Sequence, residues 1–151
     1  MSDYQLIKQL VYGYAERMDA GDFEAVAAMM GRAKLVFLPS SEVLVGSRQV
    51  LAAHRLKVKI YPHTGTPCTT HYVNNLVIGL EGDQATAQSL FTVTQALENF
   101  PSQTIMSGRY YDRFVKEREV WRFSERTIAP QYFGDLSFHL NEFETALNYN
   151  Y

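Results

Sequence analysis

The hydrophobic pattern changes once along this chain, and that change constrains the fold more than any other feature. Before Thr69, apolar residues recur at steps of three and four, which is typical of amphipathic helices. From Thr69 onward, β-branched and aromatic residues dominate and are divided by turn-forming segments. Helices followed by consecutive strands predict an α+β domain in which the helices cover one face of a curved antiparallel sheet.

The first part of the chain predicts two helices in succession. The apolar stripe of the first helix runs from Tyr4 to Met18, and the helix is predicted to end at Gly21. Asp22 is predicted to cap a second helix that begins at Phe23.

Two short apolar segments and a third helix follow. Residues 35–38 end at Pro39, and residues 43–45 form a second apolar segment, which together predict a small strand or a pair of strands. Ser47 is predicted to cap the third helix, whose hydrophobic period fades toward Pro62.

The second part predicts a meander of four long strands. Turn-forming residues divide it, and Pro130 is predicted to close the last strand. The strands are predicted at residues 69–80, 84–97, 104–115 and 120–129. No repeat or linker interrupts the chain, so residues 1–151 are predicted to form a single domain.

Composition and charge exclude several classes of protein. A hydrophobic share of 46% excludes an intrinsically disordered chain. The formal net charge of -2 gives no strong attraction to nucleic acid or to a membrane surface, so neither is an expected partner. A lone cysteine, Cys68, forms no internal disulfide, and no signal-peptide pattern or long apolar run is visible. We therefore expect a cytoplasmic protein.

The sequence motifs of common cofactors and metals are absent. There is no glycine-rich nucleotide loop, no Gly-x-Ser-x-Gly elbow and no His-Glu-x-x-His motif. The four histidines lie on different predicted elements without the spacing of metal ligands. We expect neither a cofactor nor a bound metal.

Asp19 and His71 are candidates for proton-transfer chemistry. Asp19 lies in the last turn of the first helix, where the helix dipole disfavours a carboxylate by a few tenths to about 1 kcal/mol unless a partner compensates. His71, early in the first long strand, suits a general base if a carboxylate orients its ring. The ordinary alternatives are a solvated turn for Asp19 and a half-buried, backbone-bonded histidine for His71. On a regular strand, His71 shares a face with Asn75 and Val77.

Arg126 and the aromatic residues are candidates for binding a ligand. Without a bulge, Arg126 shares a strand face with Ser124 and Ile128, and it either holds an anion or a developing oxyanion or forms an edge ion pair. The aromatic side chains line a pocket for a ring-shaped ligand or pack in the core. They are Tyr14, Phe91, Tyr110, Tyr111, Phe114, Trp121 and Phe123.

The whole chain resembles the SnoaL-like branch of the nuclear transport factor 2-like superfamily. The resemblance is carried by residues 14–23, 70–75, 120–123 and 134–140. It implies a cone-shaped α+β fold in which a bent, mixed sheet and the N-terminal helices enclose a deep pocket. Members of the superfamily include dehydratases, isomerases, cyclases, hydrolases and non-catalytic subunits.

The resemblance also implies roles for individual residues. Asp19 and His71 match the Asp/His pair of scytalone dehydratase and hexachlorocyclohexane dehydrochlorinase, and Arg126 matches a pocket arginine of the dehydrochlorinase. The residues that contact the substrate differ from those of the two enzymes. Tyr14 stands where the dehydrochlorinase has a lysine, and Ser89 and Tyr110 stand where scytalone dehydratase has a histidine and an asparagine. The expected catalytic residues are therefore His71, Asp19 and Arg126, and the expected substrate-binding residues are Tyr14, Ser89, Phe91 and Tyr110.

Two functions are expected from this reasoning. The first is a cofactor-independent lyase or isomerase, dehydratase-like or dehydrohalogenase-like, that acts on a small, apolar, cyclic molecule. The alternative is a non-catalytic ligand-binding protein or a module like a dioxygenase β-subunit. An uncovered sheet face predicts a homodimer or homotrimer under both. Epoxide hydrolysis is ranked last, because Arg109 and Asp112 are predicted on opposite faces of their strand.

Overall fold

The computed structural model describes residues 1–141, which form three α-helices and six β-strands. In chain order these are α1 (Asp3–Asp19), α2 (Phe23–Met29), β1 (Lys34–Phe37), β2 (Glu42–Val45), α3 (Gly46–Lys57), β3 (Thr69–Glu81), β4 (Gln84–Leu97), β5 (Phe100–Glu117) and β6 (Val120–Phe133). The predicted single domain also includes residues 142–151, which lie outside the described residues.

The strands form one curved, unclosed sheet in the order β2-β1-β6-β5-β4-β3. Strands β3 to β6 are antiparallel neighbours, as the predicted meander requires, whereas β1 pairs antiparallel with β2 and parallel with β6. The helix α1 packs against β3 and β6, and α2 packs against α3. The expectation of an α+β fold with a mixed, curved sheet is confirmed.

The helix starts follow from local hydrogen bonds. Ser2 and Gln5 form a capping box at α1, and Asp22 accepts the Ala25 N–H at 3.1 Å to cap α2. The prediction that Ser47 caps the third helix is wrong, because α3 begins at Gly46 with no side-chain cap. The side chain of Gln49 accepts the Val45 N–H at 2.8 Å instead, and this satisfies a backbone donor near the helix start.

A bulge in β3 reverses the face on which its later side chains lie. The register with β4 shifts between Asn74 and Val77, and Asn75 has a positive φ of 54°. His71 and Leu76 therefore face the core, whereas Val77 is exposed. The expectation that His71 shares a face with Asn75 and Val77 is wrong for this reason.

Strand β6 departs from regular pairing in two places. A register shift with β5 leaves Ser124 unpaired, so Arg126 faces the core rather than the side of Ser124. A second shift lies where Pro130 pairs with Gly108, and β6 continues beyond it to Phe133. Pro130 therefore does not close the strand, because a bulge tolerates the proline's missing N–H.

The contact at Gly108 gives a test of the β5–β6 pairing. A Cβ at Gly108 would overlap the Ala129 carbonyl oxygen and approach Pro130 Cα at 2.7 Å. We expect Gly108→Ala to lower the free energy of unfolding by about 1–3 kcal/mol, because backbone atoms cannot move aside as a side chain does. Gly79→Ala is the control, since its Cβ meets only the Thr86 hydroxyl at 3.2 Å. Urea unfolding that shows equal stability for both variants would contradict the described pairing.

Candidate functional site

A cavity of about 190 Å³ lies between the sheet, α1, α3 and the segment after β6. Most of its wall is apolar. Its polar side chains are Tyr14, Glu42, His54, Lys57, His71, Tyr110 and His139. A largely apolar cavity with a few convergent polar groups is the usual form of a site for a small molecule.

Asp19 and His71 are in direct contact at this cavity. Asp19 Oδ1 accepts from His71 Nδ1 at 2.5 Å, and Asp19 Oδ2 accepts from the His71 backbone N–H at 2.7 Å. The Thr69 hydroxyl donates to Oδ1 at 2.9 Å. The side chain of His71 is 8% exposed and that of Asp19 is 23% exposed. The carboxylate thus has three donors, which offset its unfavourable place in the last turn of α1.

The hydrogen bond from Asp19 also decides which nitrogen of His71 is free. A carboxylate only accepts, so a neutral His71 ring carries its proton on Nδ1 and leaves Nε2 with a lone pair. His71 borders the cavity, and its Nε2 makes no hydrogen bond to another residue within 1–141. This geometry suits a general base oriented by a carboxylate.

An aromatic wall of the cavity is formed by Tyr14, Phe91 and Tyr110. All three are among the substrate-binding residues expected from the resemblance. The rings of Phe91 and Tyr110 stack at 4.5 Å, and Tyr14 meets Tyr110 edge-on at 6.3 Å. Burial raises the pKa of Tyr14 to about 12 and also raises the pKa of Tyr110. Both phenols therefore stay protonated near neutral pH and can donate hydrogen bonds.

Arg126 does not line the cavity, contrary to expectation. The bulge at Ser124 turns its side chain inward, where it is fully buried and pairs with Asp112 through bonds of 2.8 and 2.9 Å. Its guanidinium lies 3.9 Å from the Tyr110 ring centre and 4.4 Å from that of Tyr14. Burial alone would lower the pKa of Arg126, but the charge and hydrogen bonds of Asp112 raise it. Arg126 is thus a charged group behind the aromatic wall.

Ser89 and Arg109 also differ from expectation. Ser89, an expected substrate-binding residue, is buried on the inner face of β4 but does not line the cavity. The stacked rings of Phe91 and Tyr110 form the cavity wall there, and the short side chain of Ser89 does not reach past them. Asp112 pairs with Arg126, its direct neighbour across the strands, rather than with Arg109. Arg109 and Asp112 stay on opposite faces of β5, as predicted.

The cavity contains two histidines that the sequence reasoning missed. His54 Nδ1 donates to the Val50 carbonyl at 2.8 Å, and burial lowers the pKa of the ring. Burial, assisted by the charge of nearby His71, lowers the pKa of His139 to about 4. One signal was available for His54, which lies four residues after Val50 on the apolar side of α3. The approach of α3 to the segment after β6 has no local sequence signal.

The described part of the chain contains neither a cluster of metal-binding side chains nor a membrane-spanning helix. No three His, Cys, Asp or Glu side chains within residues 1–141 are grouped so that they could hold a metal ion. Among the three helices, none combines the length and the apolar character needed to cross a bilayer.

A protein-family model identifies the family of this chain. The model of the SnoaL-like domain matches residues 1–127. The chain belongs to the SnoaL-like family. Residues 1–127 include α1, β3 and the candidate pair that this SnoaL-like chain carries at its cavity. No curated protein sequence matches the chain.

Solved structures share the fold of this SnoaL-like protein at low sequence identity. An NTF2-like protein with a cystatin-like fold from Novosphingobium aromaticivorans has a TM-score of 0.71 and 19% identity, covering 84% of this chain and 80% of its own. A proposed scytalone dehydratase from the same organism has a TM-score of 0.68 and 19% identity, with 88% and 87% covered. The protein LinA has a TM-score of 0.69 and 17% identity, with 89% of each chain covered. These likenesses establish the shared fold.

Acid is expected to destabilise the protein through His139. Its folded pKa of about 4 lies below the ordinary 6.5, so between these values the unfolded chain binds more protons and stability falls as the pH falls. The complete loss is of the order of 3 kcal/mol, and His54 acts in the same direction. Urea unfolding from neutral pH to about pH 4 measures it.

The matched variants isolate the contribution of His139. His139→Phe is expected to weaken the pH dependence, whereas His63→Gln, at an exposed site, is expected to keep the dependence of the wild type. Equal slopes for all three proteins would show that His139 is not buried as a neutral ring.

Proposed function

We propose that this protein is a cofactor-independent lyase or isomerase that removes a proton from carbon in a small, mainly apolar, cyclic molecule. The observation that carries the proposal is the hydrogen-bonded Asp19–His71 pair at the edge of an apolar cavity. Family membership and neighbours such as LinA and the proposed scytalone dehydratase support a reaction of this kind.

In this proposal His71 Nε2 takes the proton. The lone pair of Nε2 accepts a proton from a C–H bond beside a carbonyl or a leaving group, and the electron pair of that bond moves into the substrate. Asp19 keeps the Nδ1 proton in place and stabilises the imidazolium that forms. Thr69 and the His71 backbone N–H hold the carboxylate in position.

The two buried phenols receive the displaced charge. Tyr14 and Tyr110 border the cavity, and neither hydroxyl makes a hydrogen bond to another residue in the described part of the chain. Because both stay protonated, either can donate to a developing oxyanion or to a leaving group. Arg126 acts as a positioning residue, since it holds both rings from behind and keeps a positive charge near them.

The alternative is a binding protein or subunit-like module without catalysis. The same pair would then be structural, because the three hydrogen bonds of Asp19 also join α1 to β3. The open Nε2 of His71 favours the catalytic proposal, since a purely structural histidine has no need of a free ring nitrogen at the cavity.

Proton abstraction can be tested without the natural substrate. Exchange of the α-hydrogens of cyclohexanone for deuterium in D₂O, followed by proton NMR, measures removal of a proton from carbon directly. We expect the wild type to accelerate this exchange above buffer and His71→Gln to lower the acceleration by about 10²- to 10⁴-fold. His63→Gln is the matched control, because it makes the same change at an exposed site.

Two results would count against the enzyme proposal. One is a wild-type exchange rate equal to that of buffer despite measurable binding of cyclohexanone, which would favour the binding protein. The other is an unchanged rate in His71→Gln, which would remove His71 from the reaction.

We further propose that the outer face of the sheet joins copies of the chain in a homodimer or homotrimer. Tyr72 and Tyr132 lie in one row across β3, β4, β5 and β6, and they are 51% and 69% exposed. Thr92 and Ser107 lie between them in the row, so the two rings stand apart on one broad face of the sheet. Exposed aromatic rings are costly in water and are enriched in interfaces.

Light scattering after size-exclusion chromatography tests this assembly. The wild type is expected to have two or three times the mass of the chain, and Tyr132→Lys is expected to shift the mass toward that of the monomer. Tyr12→Lys, at an exposed position of α1, is the control. A monomeric wild type at micromolar concentration would contradict the proposal.

A further inference from the structure

His139 is a buried polar side chain that the proposed reaction leaves without a role. The residue is 5% exposed and borders the cavity, and its Nδ1 has no hydrogen-bond partner within residues 1–141. A buried polar atom without a partner is costly, and such atoms are uncommon in native proteins. The Nδ1 atom itself is shielded from the cavity. A group that binds in the cavity would therefore remove that cost only when the ring turns about its Cβ–Cγ bond and brings the unpaired nitrogen to the cavity.

The backbone around His139 is held firmly even though the ring is not. Its carbonyl accepts the Lys59 N–H at 2.9 Å, and its own N–H donates to the Leu136 carbonyl at 3.0 Å. The next residue, Leu140, forms an isolated bridge with Val58. The imidazole is therefore presented to the cavity by a fixed segment, which is the arrangement that suits a recognition residue.

The size of the cavity suits a single ring. A cavity of about 150 Å³ lined by apolar side chains holds benzene, so about 190 Å³ accommodates a six-membered ring with one or two small substituents.

The charges around the cavity favour an uncharged occupant. His54 and His139 are neutral near pH 7, and the phenols of Tyr14 and Tyr110 stay protonated. Lys57 is paired with Glu42 at 2.9 Å. An ionised ligand would lose its hydration without gaining an unpaired opposite charge.

We propose that His139 is a specificity-determining residue that hydrogen-bonds the oxygen of an uncharged monocyclic ligand. Cyclic ketones, alcohols and phenols then bind in preference to hydrocarbons of the same shape. This inference rests on the proposed function in that it names the substrate class of the same cavity, but ligand binding tests it without any turnover.

The test compares two probes that differ only in one hydrogen-bonding group. 4-Methylphenol and para-xylene have nearly the same shape, and calorimetry or ligand-observed NMR gives their dissociation constants. The wild type is expected to bind 4-methylphenol at least about tenfold more tightly, because the hydrocarbon leaves the imidazole unpaired. His139→Phe is expected to lose most of this preference, with the remainder coming from the hydroxyls of Tyr14 and Tyr110, and His139→Gln, which keeps a polar group, is expected to restore part of it. His63→Phe is the control.

Equal affinities in the wild type, or an unchanged preference in His139→Phe, would overturn the proposal. If His139→Phe does not fold, ¹⁵N NMR of the wild type decides, because 4-methylphenol and not para-xylene should shift a ring nitrogen of His139. No shift with either probe would also overturn it. His71→Gln separates this inference from the proposed function, since it is expected to lose deuterium exchange and keep the preference for 4-methylphenol.

Discussion

The carboxylate of Asp19 joins the end of the first helix to the start of the third strand, and the candidate site depends on that junction. Both oxygens of the carboxylate are used, by the backbone and ring of His71 and by the hydroxyl of Thr69. The same contacts that fix where α1 meets the sheet also fix the ring of His71. Structure and the proposed chemistry therefore depend on one set of hydrogen bonds.

A second buried charge supports the other side of the cavity. Arg126 and Asp112 are both buried and are direct neighbours across β5 and β6. An ion pair of this kind contributes little net stability compared with apolar residues in its place. Removal of one partner, however, strongly destabilises the protein, because the other charge is left buried and unpaired. Here the guanidinium also lies against Tyr14 and Tyr110, so the pair fixes the rings that border the cavity. In the proposed reaction, the arginine that resembles a catalytic residue by position therefore acts through Tyr14 and Tyr110.

Much of the fold follows from local signals in the sequence. The periodicity of α1, the capping residue Asp22 and the turn-forming residues between strands predict the elements and their order. The bulges could not be predicted in this way, because the extra residue at Asn75 or Ser124 is set by register with a neighbouring strand rather than by its own sequence. Such an unpaired residue decides the face of the side chains that follow it, up to the next shift in register.

The residues of the candidate site were also only partly predictable from the sequence. Asp19, His71, Tyr14, Phe91 and Tyr110 were expected from the sequence and its resemblance, and all of them meet at one cavity or at its edge. Arg126 and Ser89 were expected there and lie behind the wall instead. His54 and His139 were missed, because they reach the cavity through contacts between α3 and the segment after β6 that are distant in sequence. Patterns within one element do not report such contacts.

The most direct test of the account is the tautomer of His71, read from its two ring nitrogens by ¹⁵N NMR at mildly basic pH. We expect Nδ1 to carry the proton and Nε2 to be unprotonated in the wild type. In Asp19→Asn, whose amide can donate to Nδ1, the proton is expected to move to Nε2. A wild-type His71 protonated on Nε2, or a tautomer unaffected by Asp19→Asn, would contradict the claim that Asp19 prepares His71 to act as a base.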